Sequence, residues 1–341
     1  MGLGSIAKNM HIPVLSSLNN VIISSAAEKQ VDNGKKIADK WGIKNYYDDY
    51  NIMYESCDLD AVFICLPNFL HYNATLSALK HDINVFCEKP MGTNVNEAQQ
   101  LVKTAQKKDL NLGVGYNRRL MQTYQNLADT VNSYRLGRVL QTHGILVNPG
   151  PYGGWIPSSD WFFKDIYNLL YDLGSHLMDL FMFILSNQIV EVYAQGVSTM
   201  YDLEVIDNIS GFFKTEDDIL GSFNIGWRMG SKYDAIQVHG TGASVFANSM
   251  ETEFRHASYS PLDKISDNFS SSKKIISTFI GNVGSTAGRP DETYFKEIIA
   301  FLESINNEKK PLVTGEDAIN VLKVLESIKK SLNEKKEVHI K

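Results

Sequence analysis

Cysteine is scarce, basic charge is not in excess, and no long apolar run occurs. Only Cys57, Cys65 and Cys87 stand in 341 residues. They are odd in number and lack metal-ligand spacing. That argues against a disulfide framework or a cysteine-built metal site and leaves buried, reduced thiols. Lys and Arg number 33 against 39 Asp and Glu, a formal net charge of −6. A nucleic-acid or anionic-membrane partner would want a basic face instead. No run is long enough to span a bilayer, and no basic segment leading into an apolar stretch marks a signal peptide. These absences predict a cytoplasmic protein acting on a small molecule, without nucleic acid, membrane or metal.

What is present is ordinary for a soluble globular chain: 43% hydrophobic and 21% charged residues, at a length suited to two domains. The first third alternates strand and helix signals. Strands are expected at Asn20–Ser25, Ala61–Leu66, Ile83–Cys87 and Leu112–Val114, and helices at Glu28–Trp41, Leu70–Leu79 and from Asn94 to Lys107. Asn94 with Glu97 has the form of a capping box. The alternation predicts a doubly wound parallel sheet over residues 1–118. After Arg119 the rhythm changes. Long β-rich segments follow at Val139–Val147, Ile189–Ser198, Val205–Lys214, Ile219–Trp227 and Ala235–Ala247. Their alternation predicts an α+β domain over 119–341 with a largely antiparallel, open sheet. Helices are expected at Asp291–Ile305 and Glu316–Leu332. The Ser-rich stretch Ser258–Arg289 reads as a long excursion. No internal repeat is found.

Four motifs carry chemistry. Gly2-Leu3-Gly4-Ser5-Ile6-Ala7 has the G-x-G-x-x-A pattern, in which glycines let the backbone approach a pyrophosphate at a helix N-terminus. Ser25 stands near the expected end of the next strand, where the adenosine ribose would be read. Leu66-Pro67-Asn68, with His71 following, closes the strongest strand at its ligand-binding end. Taken alone, a plain strand-to-helix turn with His71 on a solvated helix is the preferred reading. Glu88-Lys89-Pro90 sets an ammonium just past a buried strand, where it can stabilise developing alkoxide charge. A Glu–Lys surface pair before a turn accounts for it equally well. In Asp172-Leu173-Gly174-Ser175-His176, helical spacing puts Asp172, His176 and Asp179 on one face beside a leucine stripe. A carboxylate one turn away can fix the imidazole tautomer. A solvated polar face is the plain alternative, and a metal site lacks a third ligand nearby.

Together these residues resemble the glucose–fructose oxidoreductase, inositol dehydrogenase and rhizopine catabolism family (Gfo/Idh/MocA). The resemblance runs through nearly the whole chain. It includes Gly115-Tyr116-Asn117-Arg118-Arg119 and the tail from Pro311 to Ala318. It implies a Rossmann domain, NAD or NADP as cofactor, and hydride transfer on a sugar, polyol or related hydroxy compound. It implies that Lys89 hydrogen-bonds the reacting oxygen, that His176 is the general acid/base, and that Asp172 orients it or binds a neighbouring hydroxyl. The glycine turn, Ser25, Leu66, Pro67, Asn68, His71, Glu88, Asn117 and Arg118 are the expected cofactor side, with Lys89 also near the nicotinamide ribose. Tyr116, Tyr152, Trp155, Trp161, Lys164 and Asn168 join Asp172 and His176 on the expected substrate side. Family analogy also implies a homo-oligomer, dimer or tetramer, built through the open sheet. Some members of this family act as sensors, so a non-catalytic cofactor- or sugar-binding regulator is the alternative. Intact Lys89, Asp172 and His176 favour the enzyme.

Three departures matter. Ile166, Tyr167 and Asn168 stand where the family often has glycines, and would reshape the pocket. Ser24-Ser25-Ala26-Ala27 holds no acid for a ribose diol and no Arg for a 2′-phosphate, so preference is expected to lean weakly to NADP or be dual, with Lys29 helping. Finally, only Met1 precedes the glycine turn. A central strand burying four large apolar residues would contribute on the order of 6–12 kcal/mol. The expectation is a natural start about six to eight residues upstream. Otherwise another segment fills that place, or the cofactor binds poorly.

Overall fold

The computed structural model describes residues 1–150, 161–199, 204–249, 252–256 and 291–341. The chain divides into two units, Met1–Leu120 with Gly288–Glu326 and Met121–Ala287 with Ser327–Lys341. The first unit takes up α8 (Glu292–Asn306) and most of α9 (Gly315–Glu334), although both follow all but the last short strand of the second unit in sequence.

In the first unit a π turn, Ala7–His11, runs into α1 (Ile12–Ser17). Then come β1 (Ser25–Ala27), α2 (Val31–Trp41), β2 (Asn45–Tyr47), α3 (Tyr50–Ser56), β3 (Ala61–Ile64), α4 (Asn68–Lys80), β4 (Asn84–Cys87), α5 (Val95–Lys107) and β5 (Leu112–Val114). The strands pair in parallel, β1 with β2 and β3-β4-β5 in order, and an isolated antiparallel bridge joins Gly113 to Thr314. Ile64, Val85, Cys87 and Val114 are sealed from solvent, as strands covered on both faces should be. The register aligns Ile64 with Cys87 and Cys87 with Val114. The three strands therefore end level, and the residues after each emerge along one edge.

The strand expected at Asn20–Ser25 is displaced to Ser25–Ala27. Residues 20–24 have no ladder partner among the described residues. Val21 and Ile23 instead lie on a core cluster of Val14, Leu15 and Ile298. Their apolar character reports burial and not pairing. Met1 and Gly2 stand between the two sheets. Gly2 N donates to Ala27 O at 2.9 Å, Cys65 N to Met1 O at 2.8 Å, and Met1 N to Phe63 O at 2.7 Å. At α5, Asn94 Oδ1 accepts from Glu97 N at 2.9 Å. Only half of the expected box forms, because the Glu97 carboxylate turns to Thr93 N and Oγ1.

The second unit holds α6 (Gln122–Asn132), β6 (Val139–Val147), α7 (Ser175–Leu185), β7 (Ile189–Val197), β8 (Asn208–Thr215), β9 (Leu220–Gly226), β10 (Tyr233–Gly240), β11 (Ala243–Asn248), β12 (Thr252–His256) and β13 (Val338–His339). Its sheet runs β12-β11-β10-β6-β9-β8-β7-β13 and is antiparallel except at β6–β9. The segment Ala235–Ala247 is two strands, not one: the chain folds back at Thr241–Gly242, and Ala235 pairs with Asn248. Along β8, Ile209, Gly211 and Phe213 are buried while Ser210 and Phe212 are exposed. The leucine stripe behaves as its spacing predicts, with Leu169, Leu173, Leu177, Leu180 and Ile184 all buried. The ring of Phe181 on α7 lies 4.7 Å from that of Phe213 on β8. The expected excursion at Ser258–Arg289, and the pocket candidates Tyr152 and Trp155, lie outside the described residues.

Candidate active site

The glycine turn is built as the motif requires. Gly2 has φ +73°, and a Cβ there would stand 2.7 Å from the Cys65 carbonyl oxygen, so both conformation and packing demand glycine. A Cβ on Gly4 would meet nothing within 4 Å. Gly4, Ser5 and Ile6 are exposed and Ala7 is buried. The turn thus offers open backbone at the start of a helix, which suits a pyrophosphate.

Ser25 is not at the carboxyl end of its strand. It opens β1, and its hydroxyl donates to Cys57 Sγ at 3.0 Å. Ligands of such sheets lie beyond the carboxyl ends of the strands, and Ser25 is at the other end. Reading the strand as 20–25 placed its end three residues early. The residue that follows the observed strand is Glu28. Its Oε2 accepts from Leu3 N in the glycine turn at 2.8 Å, and its Oε1 from Gln30 N at 3.0 Å. Sequence reasoning missed Glu28; the correct strand end was the signal that would have found it.

Past β3, the LPN turn is tied to the EKP turn. His71 is 1% exposed, not on a solvated helix face. Its Nδ1 lies 2.6 Å from Pro90 O and its Nε2 2.7 Å from Leu66 O. Burial lowers its pKa, with the two carbonyls opposing. Both ring nitrogens face backbone carbonyls, so His71 ties the two turns together. Leu66, Pro67 and Asn68 are half-buried.

Past β4, Glu88 N donates to Ile64 O at 2.9 Å, which fixes the EKP turn at the sheet's edge. Lys89 is half-buried, and its peptide bond to Pro90 is cis. Glu88 is buried against His11, with His11 Nε2 to Glu88 Oε1 at 2.7 Å. Burial alone would raise the Glu88 carboxyl. The hydrogen bond and charge of His11 outweigh it and hold the group below its ordinary value. A surface Glu–Lys pair is therefore not what the sequence encodes here. Past β5, Tyr116 is fully buried, Asn117 Nδ2 donates to Thr293 Oγ1 at 2.9 Å, and Arg118 is half-buried.

In the second unit the D-x-G-x-H segment is not one uniform helix. Leu170–Gly174 form a π turn, followed by α7. A π turn carries an extra residue, so Asp172 departs from α-helical register with His176, while His176 and Asp179 both lie in α7. Asp172 and His176 remain half-buried, while Asp179 is 1% exposed and leaves the shared edge. Asp172 Oδ2 accepts from Trp227 Nε1 at 3.0 Å. Trp227 is fully buried, its ring 5.1 Å from Phe162 and 6.2 Å from Phe163. Asn168 is buried and donates to Phe162 O at 2.8 Å, bracing the same aromatic group. Trp161 is half-buried and Lys164 exposed. Trp227 was the second residue missed. An indole ending a buried strand must place its N–H somewhere, and that was the available clue.

Residues 1–116 match the oxidoreductase family with an NAD-binding Rossmann fold, GFO_IDH_MocA. Residues 124–246 match the GFO/IDH/MocA C-terminal domain. The chain belongs to the Gfo/Idh/MocA family. A myo-inositol 2-dehydrogenase of Thermotoga maritima is 24% identical, over 100% of this chain and 97% of the relative. A scyllo-inositol dehydrogenase from Lactobacillus casei, solved with NAD(H) and scyllo-inositol, superposes with a TM-score of 0.78 at 17% identity, covering 99% of this chain and 97% of that one. A levoglucosan dehydrogenase solved with NADH and levoglucosan gives 0.82 at 18% identity, covering 99% and 97%. Among the described residues no helix is long and apolar enough to cross a membrane.

Proposed function

We propose that this family member is an NAD-dependent dehydrogenase that oxidises a secondary alcohol of a cyclic polyol or sugar. The carrying observation is the level carboxyl edge of the first unit. There Lys89 lies just past β4, and in the neighbouring sheet Glu28 follows β1 and accepts from Leu3 N of the glycine turn at 2.8 Å. The relatives named above are dehydrogenases of compounds of this class, and that favours the enzyme over a regulator.

The residues fit a dinucleotide. Open backbone at Gly4 and the helix start suit the pyrophosphate, and the Glu28 carboxylate suits a ribose diol. The same carboxylate would repel a 2′-phosphate. NAD is therefore the cofactor we assign, and the ground for a lean to NADP, an acid-free strand end, falls away with the observed end of β1. When bound, NAD supplies the hydride acceptor. Lys89 Nζ donates a hydrogen bond to the substrate oxygen and stabilises negative charge there. His176 takes the hydroxyl proton. Its Nδ1 is buried, so Nε2 is the nitrogen assigned to that proton. Asp172, held by Trp227, orients the imidazole or a neighbouring hydroxyl.

Incubation with NAD and a panel of inositols, anhydrosugars and pyranosides, followed at 340 nm, tests the reading. NADH formation with at least one member is expected. No turnover across the panel, together with no NAD binding by calorimetry, overturns it. We also assign self-association to the open sheet face, where Phe212 and Leu220 are 65% and 53% exposed. Sedimentation as a monomer at all accessible concentrations would refute that.

A further inference from the structure

Two titratable side chains are sealed inside the first unit. His11 is 1% exposed and Glu88 8%. Their ion pair closes at 2.7 Å. The imidazole is walled by the rings of Phe63, Phe86 and Tyr294, at 5.8, 5.6 and 5.6 Å. A Cβ on Gly115 would stand 2.9 Å from Glu88 Oε2, so glycine there makes room for the carboxylate. The same oxygen faces Lys89 N at 3.3 Å.

Stability alone is a poor reason for such a pair. Desolvating two charges costs several kcal/mol per ion, and apolar replacements of similar volume are often neutral or stabilising. The placement is more informative. His11 ends the π turn that follows the glycine turn, and Glu88 is the residue before Lys89. We propose that His11 and Glu88 are a positioning pair for Lys89: the imidazolium pins the carboxylate as an anion, and the pinned carboxylate fixes the Lys89 backbone and sets the field around its ammonium. This rests on the reading of Lys89 as the group that meets the substrate oxygen. Other titratable groups facing the pair are Cys65 after β3, His71 on α4 and Tyr294 on α8. Burial opposes protonation of His11, yet Cys65 and Glu88 outweigh it and raise the imidazole well above its ordinary value.

The test uses the whole protein and needs no substrate for its first two readouts. Nitrogen NMR of the unaltered protein should show His11 protonated on both ring nitrogens at a pH above its ordinary 6.5. A neutral His11 overturns the proposal, and this readout requires no variant to fold. Reductive methylation then gives the Lys89 amine an NMR signal, assigned by its loss in Lys89→Arg. Glu88→Gln, which removes the anion, should move the pH dependence of that signal downward. His11→Gln, which leaves the buried carboxylate free to take a proton, should move it the same way. Midpoints that stay put in both variants make the pair merely structural and overturn the proposal. Kinetics keep the two readings apart. If Lys89→Met leaves turnover intact, the functional reading of Lys89 has failed. If Lys89→Met abolishes turnover while the variant pH profiles match the parent, only the positioning role has failed.

Discussion

Trp227 Nε1 donates to Asp172 Oδ2 across 3.0 Å, joining the end of β9 to the π turn that carries the D-x-G-x-H motif. A hydrogen bond to a charged group contributes about 1.5–3 kcal/mol. Trp227→Phe keeps an aromatic ring among Phe162 and Phe163 and removes the donor. Its kcat should fall about tenfold or more, with little change in KM. Parent-like kcat would show that Asp172 needs no such brace. Trp227→Ala is the wrong variant, because truncating a buried Trp costs about 3–5 kcal/mol and confounds kinetics with folding.

Lys89→Met should abolish turnover while NAD binding stays within about tenfold, since the lost donor acts on charge developing in the transition state. Calorimetry and kcat on the same preparation check both halves. Unchanged kcat removes Lys89 from the mechanism.

His176→Ala should lower kcat by about 10²–10⁴, the usual size of a lost general acid/base. Asp172→Asn should cost less if Asp172 only orients the imidazole. Two variants with parent rates on a confirmed substrate would make the segment structural.

Glu28→Gln keeps an acceptor for Leu3 N and removes the charge that excludes a 2′-phosphate. The ratio of NADP to NAD affinity should rise about tenfold or more. Titration of both cofactors against parent and variant decides it, and an unmoved ratio would take the ribose away from Glu28.

The His11–Glu88 pair also predicts how stability follows pH. The folded value of His11 is raised above its ordinary 6.5, as Cys65 and Glu88 outweigh burial. Its contribution is full below 6.5 and is lost as pH climbs through the folded value. The folded value of Glu88 is depressed below 4.5, as His11 outweighs burial. Its contribution is full above 4.5 and is lost as pH falls through the folded value. Urea unfolding should therefore show the pair's stabilisation greatest between 4.5 and 6.5, relative to a His11→Leu/Glu88→Leu double variant. A difference flat across that range and beyond would contradict it.

The sequence made the fold legible where one signal had one meaning. Ala61–Ile64 and Val85–Cys87 are apolar because they are strands of a buried parallel sheet, and β6 begins and ends where its pattern does. It misled where apolar character had two possible causes. Val21 and Ile23 are apolar because they roof a core cluster, and reading them as strand hid Glu28. Lys89, Asp172 and His176 were visible as residue types set at the ends of elements. Trp227 and His11 were not, because each acts on a partner more than 50 residues away, 55 and 77 respectively. Such pairings belong to topology and leave no local pattern.

The two π turns, Ala7–His11 and Leu170–Gly174, bear on how this chain should be aligned with others. Each amounts to an α turn with one residue inserted. His11 and Asp172 both lie within these surplus turns. A comparison that counts residues by α-helical register slips by one position at each of them. The slip falls where side chains matter and leaves the neighbouring strands untouched. Two chains can then agree in every strand and still set different residues against His11 or Asp172. Superposed backbones, and not counted spacings, are the sound basis for transferring a role to or from these two positions.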